Sequence, residues 1–438
     1  MQTSRWISAK LLLLVILFAR PLWAAELPWP NRNGPFQNGS AAACDARGVP
    51  LEWDESSGKN IAWKLDLDGL GHSTPVIGHG KLWFTAATAD GKRQFVYAID
   101  GRTGSVIHHK LLFENRAPEK LGNKVNTYAS PSCVLEDDAV YIHFGSYGTA
   151  RVDPQTAAVI WQRRDLPCRH FRGPGSSPIV WQNLLILTFD GIDQQYVTAL
   201  DKRTGKTVWR TDRSTDYHDL GPDGTPERDG DIRKAYGTPA AMDVNGRTQI
   251  VSIGSRAAFG YDAATGREIW TVIHDDFNAA APPLHFQNLA IIHTGSGGTN
   301  LMAVRLDDST HGNVTDTHLA WNRTKRNSRL CAPVLDRGRI WMLTENGVLF
   351  TVDAKTGEER AVLRLGGSFV ASPVIAGDHL YACDEDGLIT VVRASLPPTV
   401  VAKNQFHEGM RASPAVADGA IYLRTFHSLY KIAAAGAK

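Results

Sequence analysis

A short tag, a small residue followed by proline and an apolar run, recurs eight times along the 438 residues of this chain. Its prolines are Pro75, Pro131, Pro178, Pro239, Pro282, Pro333, Pro373 and Pro414, spaced 40 to 61 residues apart. Self-similarity at that period points to an array of supersecondary units, each unable to bury its own faces alone. The internal grammar is the same in each unit. The tag leads to a tight turn, such as Gly78-His79-Gly80 or Gly377-Asp378, and then to a second apolar run such as Leu82-Trp83-Phe84 or Val140-Tyr141-Ile142. A third run ends in Asp-x-x-Thr-Gly at Asp100–Gly104, Asp201–Gly205, Asp262–Gly266 and Asp353–Gly357, with a decayed copy at Asp153–Ala157. In that turn the Asp side chain caps local backbone and the Gly supplies a positive φ. A fourth run follows and carries Trp161, Trp209 or Trp270 four residues beyond the turn.

Four short strands joined by hairpins form a sheet with two faces to cover, and radial stacking of such sheets covers both. The chain is therefore expected to be an all-β, eight-bladed β-propeller of four-stranded blades. The recurrent Trp residues are read as structural core between blades, with the indole N–H hydrogen-bonded. The last unit, from Arg411 onward, contains only three runs, whereas Asn60-Ile61-Ala62-Trp63-Lys64 precedes the first tag as an orphan fourth strand. Pairing the two closes the ring and removes two sheet edges. The expected organisation is a signal peptide over 1–25, an N-terminal arm over 26–59 and the propeller over 60–438. The arm is expected to cross the outside of the ring, anchored by Trp29, Phe36 and Trp53.

Arg5 and Lys10 precede the apolar run Leu11–Ala19, and small residues follow at Ala24 and Ala25. This is the pattern of an export signal cleaved near Ala24 or Ala25, giving a periplasmic or extracellular protein. The run is too short to span a bilayer, and no later stretch is long and apolar enough to do so. Charge excludes more than it suggests. The chain has 47 Lys and Arg against 45 Asp and Glu, and removing Arg5, Lys10 and Arg20 with the signal turns +2 into 44 − 45 = −1. So balanced a surface gives no general pull toward nucleic acid or anionic lipid. The five cysteines are Cys44, Cys133, Cys168, Cys331 and Cys383, with no CxxC spacing and none at the cleavage point where a lipid anchor would attach. Cys133, Cys331 and Cys383 lie in apolar stretches and read as small core residues.

The repeated Asp-x-x-Thr-Gly-x-x-x-Trp signature, as in Asp201–Trp209 and Asp262–Trp270, resembles the pyrroloquinoline-quinone (PQQ)-like repeat propellers. That family includes the quinoprotein alcohol dehydrogenases and an outer-membrane assembly lipoprotein. The opening Trp29-Pro30-Asn31-Arg32-Asn33-Gly34-Pro35 and the stretch Asn60–Pro75 look like exported bacterial propellers of this class. The resemblance implies a bacterial cell-envelope setting. It implies PQQ with Ca2+ only for members that carry a carboxylate and amide cation site, a catalytic Asp and two adjacent disulfide-linked cysteines. No Cys-Cys pair occurs here.

No Gly-x-Ser-x-Gly elbow or His-Glu-x-x-His is present, and Gly173-Pro174-Gly175 and Gly295–Gly298 are not followed by helices. His274-Asp275-Asp276 and Asp384-Glu385-Asp386 read as solvated acidic loops. One set of residues stands out. The positions just before each tag should crowd one mouth of the central channel. They are His72, Asn126, Tyr128, His170, Arg172, Arg233, Tyr236, Asn278, Arg329 and Arg411. Cationic and aromatic side chains gathered there would suit a planar or anionic ligand, although a water-filled channel needs polar lining in any case. The insertion Thr211–Lys234, polar and bearing Gly and Pro, is a second candidate surface. The expectation is a non-enzymatic envelope scaffold or binding module, monomeric and without cofactor or metal. The alternatives are a PQQ/calcium dehydrogenase and a small-ligand binder at the channel mouth.

Overall fold

The computed structural model describes residues 27–434 except 123 and 326; the expected export signal lies outside the described residues. Eight antiparallel sheets of four strands form the ring. The innermost strands, A, are Val76–Gly78, Val134–Glu136, Ile179–Trp181, Ala240–Val244, Leu284–Phe286, Val334–Asp336, Val374–Ala376 and Ala415–Ala417 in blades 1 to 8. Within blade 1, strands B, C and D are Lys81–Ala87, Arg93–Asp100 and Val106–Glu114, and the other blades repeat the order. Strands B and C are buried along almost their whole length, whereas D strands alternate, as Thr207–Asp212 does. The buried residues form a series of clusters, each wedged between adjacent blades rather than gathered at one centre.

The ring closes as the missing strand requires. Ile61–Asp66 pairs antiparallel with Ser428–Ile432 and completes blade 8. The proline tags are less regular than they look. In blade 2 the strand starts at Val134, so Cys133 occupies the proline position and Pro131 lies two residues early; in blade 5 the position belongs to Pro283 rather than Pro282. With that register, the residue before the tag position forms a hydroxyl belt. Thr74 N–H donates to Ser132 Oγ (2.9 Å), Ser132 N–H to Ser177 Oγ (2.9 Å) and Ser177 N–H to Thr238 Oγ1 (3.0 Å). Ala332 N–H donates to Ser372 Oγ (2.9 Å) and Ser372 N–H to Ser413 Oγ (3.0 Å). Small hydroxyl residues recur in the tags because they link one blade to the next. Pro282 and Ala332 interrupt the belt, since neither has a hydroxyl.

The Asp-x-x-Thr-Gly turns form a second set of links. Trp63, Trp161 and Trp209 each reach the next blade's turn, donating Nε1–H to Gly101 O (3.2 Å), Lys202 O (3.0 Å) and Ala263 O (3.2 Å). Trp321, not singled out from sequence, makes the same bond to Ala354 O at 3.2 Å. The indole lies on the turn glycine: a Cβ at Gly205 would sit 2.8 Å from the Trp161 ring, and φ there is +73°. Trp270 differs. It is fully buried between blades 4 and 5, but blade 5 has no such turn, and its indole donates instead to Gln249 Oε1 of its own blade (2.7 Å). Gly312–Asn313 of blade 5 joins strand D of blade 4 in parallel beside Trp270, making that sheet five-stranded.

Only the later part of the arm, through Leu51 and Trp53, reaches an outer strand, bonding to Asn404 in strand D of blade 7. Residues 29–39 instead cross the channel at the end where strands A turn into strands B. Trp29 exchanges two backbone bonds with Ile77 (3.1 and 2.7 Å), Pro30 O accepts from Leu135 N–H (2.8 Å), Asn38 O from Leu335 N–H (3.0 Å) and Gly39 O from Ile375 N–H (2.9 Å). Those four partners hold the same place in strands A of blades 1, 2, 6 and 7. Trp29 and Trp53 are buried anchors as expected, Trp53 beside Tyr381 and Phe406. Phe36 is no anchor: it is 55% exposed, because the bend near Gly34 turns it away from the ring. The five cysteines are unpaired.

Candidate functional site

The D-to-A connections bring the expected mouth residues to one face, together with the B–C turns, but most of their chemistry is already used. Arg172 donates through Nη2 to both oxygens of Asp231 (3.1 Å each) and lies over Phe171. Arg233 forks onto Asp219 (2.6 to 3.2 Å), which holds its guanidinium firmly charged, and lies over Tyr217. Both acids come from the insertion Thr211–Lys234, whose short 3₁₀ segment Glu227–Arg233 lies at this face. Arg411 donates Nε–H to Glu385 (2.6 Å) and Nη1–H to Lys124 O (2.7 Å), tying blade 8 to the segment between blades 1 and 2. Arg329 is the loosest of the four. Its side chain is 57% exposed and stands 3.7 Å from Glu345, whose Oε1 accepts the backbone N–H of Arg329 (2.5 Å) and Leu330 (2.7 Å).

The aromatic and histidine members are packed parts. Tyr128 donates its hydroxyl to Glu119 O (2.7 Å) and meets Tyr147 edge-on. His170 is buried, with Nε2 accepting Ser146 N–H (3.0 Å), and burial pulls its pKa down to about 4. His72 is held at about 3 by burial and then by the charges of Arg424 and Arg411. Asn126 donates to Arg172 O (2.9 Å) and Pro174 O (3.1 Å), and the Oδ1 of Asn278 is buried without a partner. The hydroxyl of Tyr236 is likewise buried and unpartnered. Both groups, a carboxamide and a phenol, are polar but uncharged at neutral pH, so neither brings charge to the mouth.

Sequence reasoning missed the carboxylates. Glu345 and Glu385 occupy the same place in the B–C turns of blades 6 and 7, in Thr-Glu-Asn-Gly and Asp-Glu-Asp-Gly, so the repeat itself held the signal. Two acidic loops read as solvated are so only in part: Asp275 and Asp386 are exposed, but one acid of each loop is buried. Asp384 is buried and its Oδ1 accepts Asp386 N–H (3.0 Å) and Leu388 N–H (2.7 Å). Asp276 is buried and caps the Gly298–Asn300 loop, with Thr299 N–H at 3.1 Å and Asn300 Nδ2–H at 2.8 Å. Among the described residues no group of three His, Cys, Asp or Glu side chains is placed to hold a metal ion. A quinone beside calcium needs several open oxygen donors. Here Glu345, Glu385, Asp231 and Asp219 are already engaged by Arg and backbone partners.

The family model described as outer membrane protein assembly factor BamB matches residues 19–185, 193–329 and 304–396. The chain belongs to this family. A BamB of Legionella pneumophila (strain Paris) is 26% identical over 235 residues, and that match spans about half the length of each protein, 50% of this chain and 51% of the relative. The crystal structure of BamB from Moraxella catarrhalis superposes with a TM-score of 0.57 at 14% identity, covering 85% of this chain and 99% of the other. A quinohemoprotein alcohol dehydrogenase from Comamonas testosteroni gives 0.64 at 12% identity, covering 94% and 82%. A computationally designed protein, Ika8, gives 0.58 at 12% identity, covering 84% and 98%. At these identities the likeness is one of fold. An assembly factor, an oxidoreductase and a design share it, so the BamB-family ring specifies no reaction by itself.

Proposed function

We propose that this BamB-family propeller is a cell-envelope scaffold that holds a protein partner on the face bearing the D-to-A connections. The observation that carries the reading is the insertion Thr211–Lys234. Two ion pairs fasten it to the ring, Arg213 to Asp190, both buried, with Nε 2.5 Å and Nη2 2.7 Å from the carboxylate, and Asp231 to Arg172, while Arg233 and Asp219 brace it internally. From that fixed base it presents Leu220, at 63% the most exposed large apolar side chain among the described residues. A rigid loop with an apolar tip offers contact area without a large ordering cost on binding. Arg172, Arg233 and Arg411 at the mouth are already paired with acids, which supports a macromolecular partner over a small anion there.

A photo-crosslinking residue at position 220, compared with one at Lys206 on the opposite face, tests the proposal in cells. A discrete adduct in the envelope fraction from position 220 alone is expected. Equal labelling from both positions, or none, would overturn it, as would saturable thermal stabilisation by PQQ with calcium accompanied by alcohol or sugar oxidation.

A further inference from the structure

The arm that plugs the channel carries an arginine into it. Residues 31–37 pass under blades 3, 4 and 5, where Asn31, Arg32, Asn33 and Gln37 face Ile179, Thr238 and Pro282 across a small cavity just below the hydroxyl belt. The Nη1 of Arg32 is shut off from solvent and has no hydrogen-bond partner. Among the described residues no carboxylate pairs with it. The nearby acids at the ends of strands A are engaged elsewhere, Glu136 with Lys202 (2.7 Å) and Asp336 with Arg337 (2.8 Å). The mouth arginines Arg172, Arg233, Arg329 and Arg411 each stand within ion-pair distance of an acid.

A buried charge is normally paired, since leaving it alone costs several kcal/mol. The belt is broken on this side, at Pro282 and Ala332. Thr238, whose hydroxyl oxygen accepts Ser177 N–H (3.0 Å), borders the cavity beside Arg32 and keeps its own proton to donate. A guanidinium edge, a hydroxyl and an amide side chain around a small, partly open space make a set of donors that lacks only an acceptor. We propose that this cavity binds a small inorganic anion, chloride or a single oxyanion of the phosphate class, which neutralises Arg32 and locks the arm in the channel. The desolvation that depresses the Arg32 pKa, to about 10, is the force the anion would relieve. The site is distinct from the mouth, because the arm lies at the opposite end of the channel.

The experiment is thermal unfolding of the full mature chain in chloride, phosphate or gluconate at matched ionic strength, with limited proteolysis of residues 27–41 in parallel. Gluconate is too large for the cavity and serves as the control for general salt effects. For the native sequence, a saturable rise in Tm and slower cleavage of the arm are expected in chloride or phosphate, whichever is bound, and not in gluconate. Arg32→Gln should abolish the saturable part, while Arg102→Gln, on an exposed turn, should keep it. If Arg32→Gln does not fold, Arg32→Lys is read instead: losing the planar fork should raise the half-saturating concentration about tenfold. An unchanged response in the Arg32 variant, or a native protein that responds identically in all three salts, would overturn the proposal.

Discussion

Arg424 shows how far this ring goes to bury polar groups between blades. It is fully buried at the junction of blades 8 and 1, over Phe84, with Nη1 donating to Ser73 Oγ (2.8 Å) and Thr85 O (2.9 Å), while Nε and Nη2 have no partner. No carboxylate faces it among the described residues, and burial lowers its pKa to about 9. Apolar replacement of such a charge often costs little, because the desolvation penalty goes with it. Arg424→Met is therefore expected to fold with nearly unchanged stability. His72 should then titrate higher, since the Arg424 charge, after burial, helps hold it near 3. Calorimetry and NMR of the imidazole check both; a loss above about 3 kcal/mol would mean that the hydrogen bonds to blade 1 dominate. A second residue-scale effect concerns pH. Hydrogen bonds from Thr103, Thr156 and Thr204 lower the pKa of Asp100, Asp153 and Asp201. A depressed carboxylate contributes stability above its unfolded pKa of about 3.9, and that contribution is lost as pH falls through the folded value. These turns add a loss below about pH 4 to one that starts higher: His72 and His170, held by burial at about 3 and about 4 against an unfolded value of about 6.5, should make the urea midpoint decline from about pH 6.5 downward.

At the scale of elements, the turn and the tryptophan act as one staple. The Asp holds the turn, the glycine gives it a left-handed residue with no Cβ, and the indole of the preceding blade occupies the freed space. Trp209→Ala removes a nearly buried ring and its bond to Ala263, and should cost about 3–5 kcal/mol in urea unfolding. Trp161→Ala should cost roughly half as much, because that indole is only partly buried. Equal costs would show that exposure does not rank these staples. The motif made the staples legible beforehand. Trp321 escaped because its own blade lacks the Asp-x-x-Thr-Gly turn, although the turn it meets, at Asp353–Gly357, was recognised. The reverse holds for Trp270, which follows a good turn but meets none.

At the scale of the molecule, closure decides stability. Five opposed residue pairs between Ile61–Asp66 and Ser428–Ile432 join chain segments more than 360 positions apart. A variant ending at residue 427 leaves two unpaired edges, Ile61–Asp66 and Ala420–Arg424, and should melt without cooperativity and aggregate, as followed by light scattering. Adding a peptide of residues 428–434 should restore cooperative melting; soluble, cooperative unfolding of the shortened chain alone would contradict this account of closure. Eight units, four strands each and the strand that completes the last blade could all be read from the repeat, because apolar runs and turn chemistry are local properties written in consecutive residues. That Arg172, Arg233, Arg329 and Arg411 all fall in D-to-A connections was legible for the same reason. Their neutralisation by Asp231, Asp219, Glu345 and Glu385, the passage of the arm through the channel, and the isolation of Arg32 there were settled only by the tertiary structure. These depend on which distant loops meet across the ring, and charge pairing through space leaves no periodic trace along the chain.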